Sequence, residues 1–272
     1  MNTVEPERAA GLAYREALPD SEPQGSPVLC LHGFPETSYM WRTVLATVAE
    51  AGHRALAPDR PGFGRSPADP PATWGRQVEA IERFAAELAL PPVTLVVHDW
   101  GGLIGLRWAC DHPERVNALV ISSSGFFADG KWHGMAEGLR TPETGEQMLA
   151  AVDRDGFGAM MSSLGSGFDD EAVDEYWLSF GTDAGRAAAL EMYRSGDFEQ
   201  LEPYEGKLAE LDVPTLILWG ESDAFAPVAG AHRFLDEIPG AELQTISGAG
   251  HFLYSDAADE SAAAVTHFLD RL

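Results

Sequence analysis

The sequence is short of positive charge. Its 272 residues include 18 lysine and arginine residues against 43 aspartate and glutamate residues, so the formal net charge at pH 7 is −25. Nucleic acids and anionic membrane surfaces repel such a charge, and we expect the protein to bind neither of them. The acidic excess identifies no partner, because a well-solvated surface explains it equally well.

Cysteine and long apolar segments are also scarce. The two cysteines, Cys30 and Cys110, are expected to be free thiols in a reducing compartment, with a disulfide between them as the open alternative. No apolar run approaches the ~20 residues that cross a bilayer, and the polar, acidic start of the sequence does not resemble a signal peptide. We therefore expect a cytoplasmic protein.

Strand-like and helix-like segments alternate over much of the sequence. Buried-type apolar runs predict strands at residues 28–31, 54–57, 93–97, 117–121, 213–219 and 242–246. Apolar residues at helical spacing predict helices at residues 39–51, 74–90, 103–110, 228–237 and 260–272. This order predicts an α/β fold with a mostly parallel sheet that is covered by helices on both faces.

The alternation stops between residues 126 and 205. This stretch predicts only short helices, at residues 144–152, 170–180 and 185–194. We interpret 126–205 as a helical cap, or lid, inserted into a core formed by 1–125 and 206–272. The methionine and phenylalanine side chains of the lid fit a small apolar substrate, although simple lid packing explains them equally well. Either a monomer or a homodimer fits the sequence.

The most informative segment is residues 93–102, VTLVVHDWGG. It predicts a strand that enters a sharp strand-to-helix turn with Asp99 at the tip. A carboxylate is a poor acyl acceptor in water, because the resulting anhydride is reactive, but at saturated carbon it forms an ordinary ester. Asp99 is therefore a candidate nucleophile for opening a carbon–oxygen or carbon–halogen bond, with a helix N-cap as its structural alternative.

Polar residues follow the ends of other predicted strands. Because the carboxyl ends of parallel strands meet at one edge, we expect Asp223 and His251 to lie near Asp99. His251 would deprotonate the water that cleaves the ester, and Asp223 would hold the imidazole tautomer. The backbone N–H groups of Phe34 and Trp100 are predicted to form the oxyanion hole.

Structural roles compete with some of these assignments. Asp223 also fits a turn, in which case Glu221 would replace it in the site. His32 and His98 are expected to be structural, and His133 is expected at the surface or a helix end. No cluster of His, Cys and Asp has metal-ligand spacing, so no metal site is predicted.

Taken together, these motifs resemble the aspartate-nucleophile branch of the α/β-hydrolases, which includes epoxide hydrolases and haloalkane dehalogenases. The resemblance covers nearly the whole chain outside the lid. It rests on HGFP at 32–35, GFGRS at 62–66, HDWGG at 98–102, Asp223 and GH at 250–251. It implies the α/β-hydrolase fold, the order nucleophile, acid, histidine, and catalysis without a cofactor.

Within this branch, the leaving group separates the two activities. An epoxide oxygen leaves as an alkoxide and needs an acid, for which the resemblance implies lid tyrosines. Tyr193, followed by Arg194, resembles one of them. The stretch 144–164 contains no second tyrosine, and Tyr176 is the available substitute.

A departing halide needs only weak donors. The resemblance implies that the indole of Trp100 can serve as one, and Trp132 and Trp177 are candidates for a second donor from the lid. Phe34 stands where one group of dehalogenases has an asparagine donor, and its side chain has none.

The leading hypothesis is an epoxide hydrolase that acts on small apolar epoxides through an alkyl-enzyme ester on Asp99, with Tyr193 as the acid. The alternative is a haloalkane dehalogenase with the same nucleophile and Trp100 as the halide donor. A third hypothesis is a non-catalytic binding protein that retains the pocket. An esterase is also open, although the serines at 122–124 follow a different predicted strand.

Overall fold

A single sheet of eight strands runs through the computed structural model, which describes residues 6–272. The strands are β1 (Glu7–Ala9), β2 (Leu12–Ala17), β3 (Val28–Leu31), β4 (Ala55–Pro58), β5 (Val93–His98), β6 (Val116–Ser122), β7 (Thr215–Gly220) and β8 (Glu242–Ile246). Their spatial order is β1-β2-β4-β3-β5-β6-β7-β8. All pairs from β4 to β8 are parallel, so the predicted mostly parallel sheet is confirmed.

The antiparallel edge of the sheet was not expected from the sequence. β1 pairs with β2, and β2 pairs with β4, in antiparallel register. Ala10 and Gly11 connect β1 to β2, and both have positive φ, +49° and +83°. Two-residue hairpins favour this conformation. Both strands are short and contain charged residues, so they lack the continuous apolar runs that revealed the central strands.

Helices connect the parallel strands. They are α1 (Arg42–Glu50), α2 (Trp74–Glu87), α3 (Trp100–Asp111) and α10 (Ala229–Glu237), with a short α9 (Lys207–Glu210) before β7. Two further helices, α11 (Leu253–Asp256) and α12 (Ala258–Leu269), follow the last strand, β8. The predicted helix at 39–51 is divided into a 3₁₀ turn, Ser38–Trp41, and α1. Within residues 6–272, no helix has both the length and the apolar character needed to span a membrane.

The segment between β6 and β7 is helical. It contains α4 (Gly134–Arg140), α5 (Thr144–Ala150), α6 (Arg154–Leu164), α7 (Asp170–Trp177), α8 (Asp183–Arg194) and a 3₁₀ helix, Phe198–Tyr204. Asp and Thr side chains begin three of these helices by accepting a backbone N–H, at Asp153, Asp169 and Thr182. The cysteines are free: Cys30 is buried in β3, and Cys110 lies near the end of α3.

The turn between β5 and α3 is tightly constrained. Every residue of β5 is buried, as expected for a central parallel strand. Asp99 follows β5 with φ +49° and ψ −119°, a conformation that non-glycine residues rarely adopt. A Cβ at Gly101 would lie 2.0 Å from the carbonyl oxygen of Leu31, and one at Gly102 would lie 2.1 Å from Ser124 Oγ. The two glycines therefore let α3 start directly against the sheet and hold Asp99 at its edge.

We predict opposite stability effects for two glycine-to-alanine substitutions in helices. Gly101→Ala should destabilise the fold by several kcal/mol, because its Cβ meets backbone that cannot move away. Gly75→Ala in α2 is the matched control: its Cβ meets nothing within 4 Å, so it should stabilise the protein by ~0.5–1 kcal/mol. Urea unfolding measures both values. A Gly101→Ala variant as stable as the parent would contradict the packing argument.

Candidate active site

Three strand ends bring Asp99, Asp223 and His251 together. Asp99 follows β5, Asp223 follows β7 and His251 follows β8. The imidazole Nδ1 of His251 lies 3.0 and 3.1 Å from the two carboxylate oxygens of Asp223, and its Nε2 lies 3.7 Å from Asp99 Oδ2. The imidazole thus stands between two carboxylates, with one nitrogen directed to each.

The carboxylate of Asp223 is held in place by backbone amides. Asp223 Oδ1 accepts hydrogen bonds from the N–H groups of Phe225 (2.9 Å) and Ala226 (2.8 Å). Burial works against ionisation of Asp223, but the interactions with His251 and the Ala226 amide outweigh it and lower the pKa of the carboxyl group. Glu221, the sequence-based substitute for Asp223, interacts instead with Thr245 at the exposed surface, 3.4 Å from its hydroxyl.

The other carboxylate oxygen of Asp99 faces the loop after β3. The N–H of Phe34 donates to Asp99 Oδ1 at 2.8 Å. Gly33 makes this approach possible, because a Cβ there would lie 2.7 Å from the Cβ of Asp99. Trp100 is the first residue of α3, where a backbone N–H has no acceptor within its own helix. These are the two residues whose backbone N–H groups the sequence predicts to form an oxyanion hole.

The pKa shifts of Asp99 and His251 favour the charged form of both groups. Burial works to raise the pKa of Asp99, but interactions with His251, His98 and the Phe34 amide outweigh it and lower that pKa to about 2. Burial disfavours the imidazolium of His251, yet the interactions with Asp223 and Asp99 outweigh it and raise its pKa to about 10. Asp99 is therefore ionised at neutral pH, and its negative charge helps to keep His251 protonated.

A cavity of about 330 Å³ opens beside Asp99 and His251. Its walls include Trp100, Trp132 and Tyr193. Tyr193 is 2% exposed, and its ring packs edge-on against Trp100 at a centroid distance of 4.8 Å. The indole of Trp132 stacks on that of Trp100, but its Nε1 donates to Asp197 at 3.0 Å. Trp100 and Tyr193 therefore line the same cavity as Asp99.

Two lid residues proposed from the sequence lie elsewhere. Tyr176 is buried between Tyr39 and Phe168, at centroid distances of 6.4 and 6.3 Å, and does not line the cavity beside Asp99. Trp177 packs on Phe157 and borders a separate apolar cavity. The sequence places both residues in the predicted lid helix at 170–180, but only the packing of α7 fixes the direction of their side chains.

Other residues near the site make contacts that the sequence did not reveal. His133, expected at the surface or a helix end, caps α4 and also lines the cavity, where its ring lies 5.0 Å from that of Phe225. His98 and Glu36 are fully buried, with His98 Nδ1 3.2 Å from Glu36 Oε2 and His98 Nε2 2.9 Å from the carbonyl oxygen of His251. In the sequence, only their positions next to the motifs drew attention to His98 and Glu36.

No group of three or more His, Cys, Asp or Glu residues within 6–272 is placed to hold a metal ion. The buried Asp59 after β4 serves the fold instead. Its oxygens accept the N–H groups of Ser38 at 2.7 Å and Arg65 at 2.9 Å, which ties two loops together.

Comparison with known proteins places these observations in a family. Residues 26–258 match the alpha/beta hydrolase fold family. A haloalkane dehalogenase of Psychrobacter cryohalolentis is 31% identical over 268 residues, which cover 93% of this chain and 86% of that protein. The crystal structure of DBJA aligns with a TM-score of 0.83 at 25% identity, covering 99% of this chain and 97% of that one. Epoxide hydrolase VrEH1 from Vigna radiata aligns with a TM-score of 0.79 at 23% identity, covering 99% and 98%.

The raised pKa of His251 predicts a dependence of stability on pH. A folded pKa of about 10 against an ordinary value of 6.5 stabilises the protein fully below pH 6.5, and this contribution is lost as the pH rises toward 10. Asp223→Asn removes one of the two carboxylates, so it should lower the pKa of His251 and flatten this decline. Urea unfolding at several pH values between 6 and 10 measures the effect. Parallel curves for parent and variant would refute it, and His267→Asn on α12 serves as the control.

Proposed function

The chain belongs to the α/β-hydrolase fold family, in the branch of haloalkane dehalogenases and epoxide hydrolases, and from this premise we propose that it hydrolyses small apolar alkyl halides. The observation that carries the proposal is the position of Asp99, with Oδ1 held by the Phe34 amide and Oδ2 3.7 Å from His251 Nε2 at the wall of a cavity lined by Trp100. This proposal reverses the order of the two hypotheses drawn from the sequence, both of which use Asp99 as the nucleophile. Similarity to a haloalkane dehalogenase over most of both chains supports this order.

The first step is a displacement at saturated carbon. Asp99 Oδ2 attacks the carbon, the carbon–halogen bond breaks with its electron pair, and an alkyl ester forms on the enzyme. The halide needs weak donors, and the indole of Trp100 and the hydroxyl of Tyr193 border the same cavity. Burial, aided by the charge of Asp99, keeps the pKa of Tyr193 well above its usual value, so the phenol retains its proton.

Ester formation prepares the base for the second step. It neutralises Asp99, so His251 loses one of the two carboxylates that stabilise its charge, and its pKa falls. His251 then releases a proton and can accept one from water, while Asp223 still holds Nδ1 at 3.0 Å. Hydroxide adds to the ester carbonyl, the oxyanion forms at the Phe34 amide, and collapse expels the alcohol, which takes a proton from His251.

We predict that a single turnover in heavy-oxygen water will leave the first alcohol unlabelled. The alkyl oxygen of the ester comes from Asp99, so the solvent label should enter the carboxylate instead. With n-butyl bromide, Asp99→Ala should reduce bromide release by several orders of magnitude, whereas Asp111→Ala, at a surface carboxylate that binds Tyr204, should not. Product mass spectrometry and bromide assay measure these results. Label in the first alcohol would exclude attack by Asp99.

Epoxide hydrolysis is the second candidate, and Tyr193 is the observation that favours it. Its hydroxyl belongs to a buried lid residue beside the nucleophile, where an acid for an alkoxide is needed. The sequence offered Tyr176 as a second acid, but that residue does not reach the cavity. A single phenol with a raised pKa is a weak acid for a departing alkoxide, whereas a departing halide needs only a weak hydrogen-bond donor.

Tyr193→Phe separates the candidates, and Tyr176→Phe provides the matched control in the same lid. For a dehalogenase, Tyr193→Phe should lower bromide release from n-butyl bromide by about tenfold or less, because Trp100 still lines the cavity. For an epoxide hydrolase, it should reduce styrene oxide turnover by ~10²–10⁴-fold. Tyr176→Phe should change neither rate by more than about twofold. Turnover of epoxides but of no alkyl bromide by the parent enzyme would overturn the proposed order.

A further inference from the structure

The motif after β4 contains a buried arginine that the proposed mechanism does not yet use. Arg60 is fully buried. Its Nε donates to the carbonyl oxygen of His32 at 3.2 Å, and its Nη2 donates to that of Gly33 at 3.4 Å. Nη1 contacts Gln77 Oε1 at 3.4 Å and Met192 Sδ at 3.2 Å. Within residues 6–272, all these acceptors are neutral, so the guanidinium has no carboxylate in contact.

A buried cation without a directly bound anion is costly unless a charge nearby compensates it. Burial lowers the pKa of Arg60 to about 10, and the charge of Asp99 opposes this reduction. Arg60 is therefore a cation at neutral pH. The anion to which it responds most strongly is the carboxylate of Asp99.

His32 adds a second donor at the same carbonyl. The backbone N–H of Arg60 donates to His32 Nε2 at 3.0 Å, so this nitrogen is the acceptor and the ring proton lies on Nδ1. Nδ1 is 2.8 Å from the carbonyl oxygen of Gly33 and donates to it. Burial and the charge of Arg60 hold the pKa of His32 well below its usual range, so the ring stays neutral.

The carbonyl of Gly33 and the N–H of Phe34 belong to one peptide group. On one side this group accepts from Arg60 and His32, and on the other it donates to Asp99 Oδ1 at 2.8 Å. We propose that Arg60 is a positioning residue that orients and polarises the Gly33–Phe34 peptide, so that this amide stabilises negative charge on Asp99 Oδ1. Hydrogen bonds in such a chain strengthen one another in a dry interior.

This role, which rests on the proposed ester mechanism, favours the second step selectively. Displacement removes negative charge from the carboxylate of Asp99, so a polarised amide gives it no assistance. Addition of hydroxide to the ester carbonyl returns a full negative charge to Oδ1, where the Phe34 amide binds it. Loss of Arg60 should therefore slow ester hydrolysis and leave ester formation nearly unchanged, so the alkyl-enzyme accumulates.

The test is a single-turnover experiment with n-hexyl bromide, quenched at intervals and analysed by mass spectrometry of the intact protein. Arg60→Met retains an apolar stem without the charge and should slow ester decay by about tenfold or more, less than the 10²–10³-fold expected for loss of an oxyanion donor itself. Arg60→Lys retains a cation and should recover part of this loss. Arg115→Met is the control, because Arg115 binds Glu82 and the carbonyl of Leu90 instead.

The outcomes distinguish the inference from the mechanism beneath it. If the parent enzyme forms no covalent ester, the proposed function falls and the inference falls with it. If the ester forms but Arg60→Met slows both steps equally, or neither, only the role of Arg60 is wrong. Should Arg60→Met fail to fold, Arg60→Gln removes the charge but keeps a polar side chain, and ester decay at the parent rate in that variant overturns the proposal.

Discussion

The close approach of the loop after β3 to the turn after β5 is the constraint on which the site depends. The Phe34 amide reaches Asp99 Oδ1 at 2.8 Å only because Gly33 has no Cβ to separate them. On the other side of the turn, Gly101 lets α3 press against the backbone of Leu31. The strained backbone of Asp99, with φ +49°, is maintained by this packing from both sides.

The charged groups around this turn form one connected chain in space rather than isolated pairs. Asp223, His251 and Asp99 alternate in sign, and the Gly33–Phe34 peptide links Asp99 to the cation of Arg60. Each group changes the cost of ionising its neighbour, so esterification of Asp99 alters His251 as well. Surface acidity, by contrast, acts through solvent and is screened within ~10 Å at ordinary ionic strength.

The sequence supported some predictions better than others, and the reason differs by element. Central strands were visible because burial on both faces demands continuous apolar runs, as in β5. The strands β1 and β2 were missed because charged residues interrupt both of them, so neither contains a continuous apolar run. The expectation that His133 lies at a helix end is confirmed, because it caps α4, but the sequence does not reveal that the same ring also borders the cavity.

By itself, the sequence determined the chemistry available: a carboxylate at the strand-to-helix turn, an acid and a histidine after later strands, and glycines where backbone segments must touch. These follow from local rules, since a residue type and its distance from a strand end are properties of the chain alone. Only the tertiary structure decided which lid residues face Asp99. Tyr193 and Tyr176 both lie on lid helices, but α8 directs one to the cavity and α7 buries the other. The orientation of a helix depends on everything it packs against, and that information is spread over the whole chain.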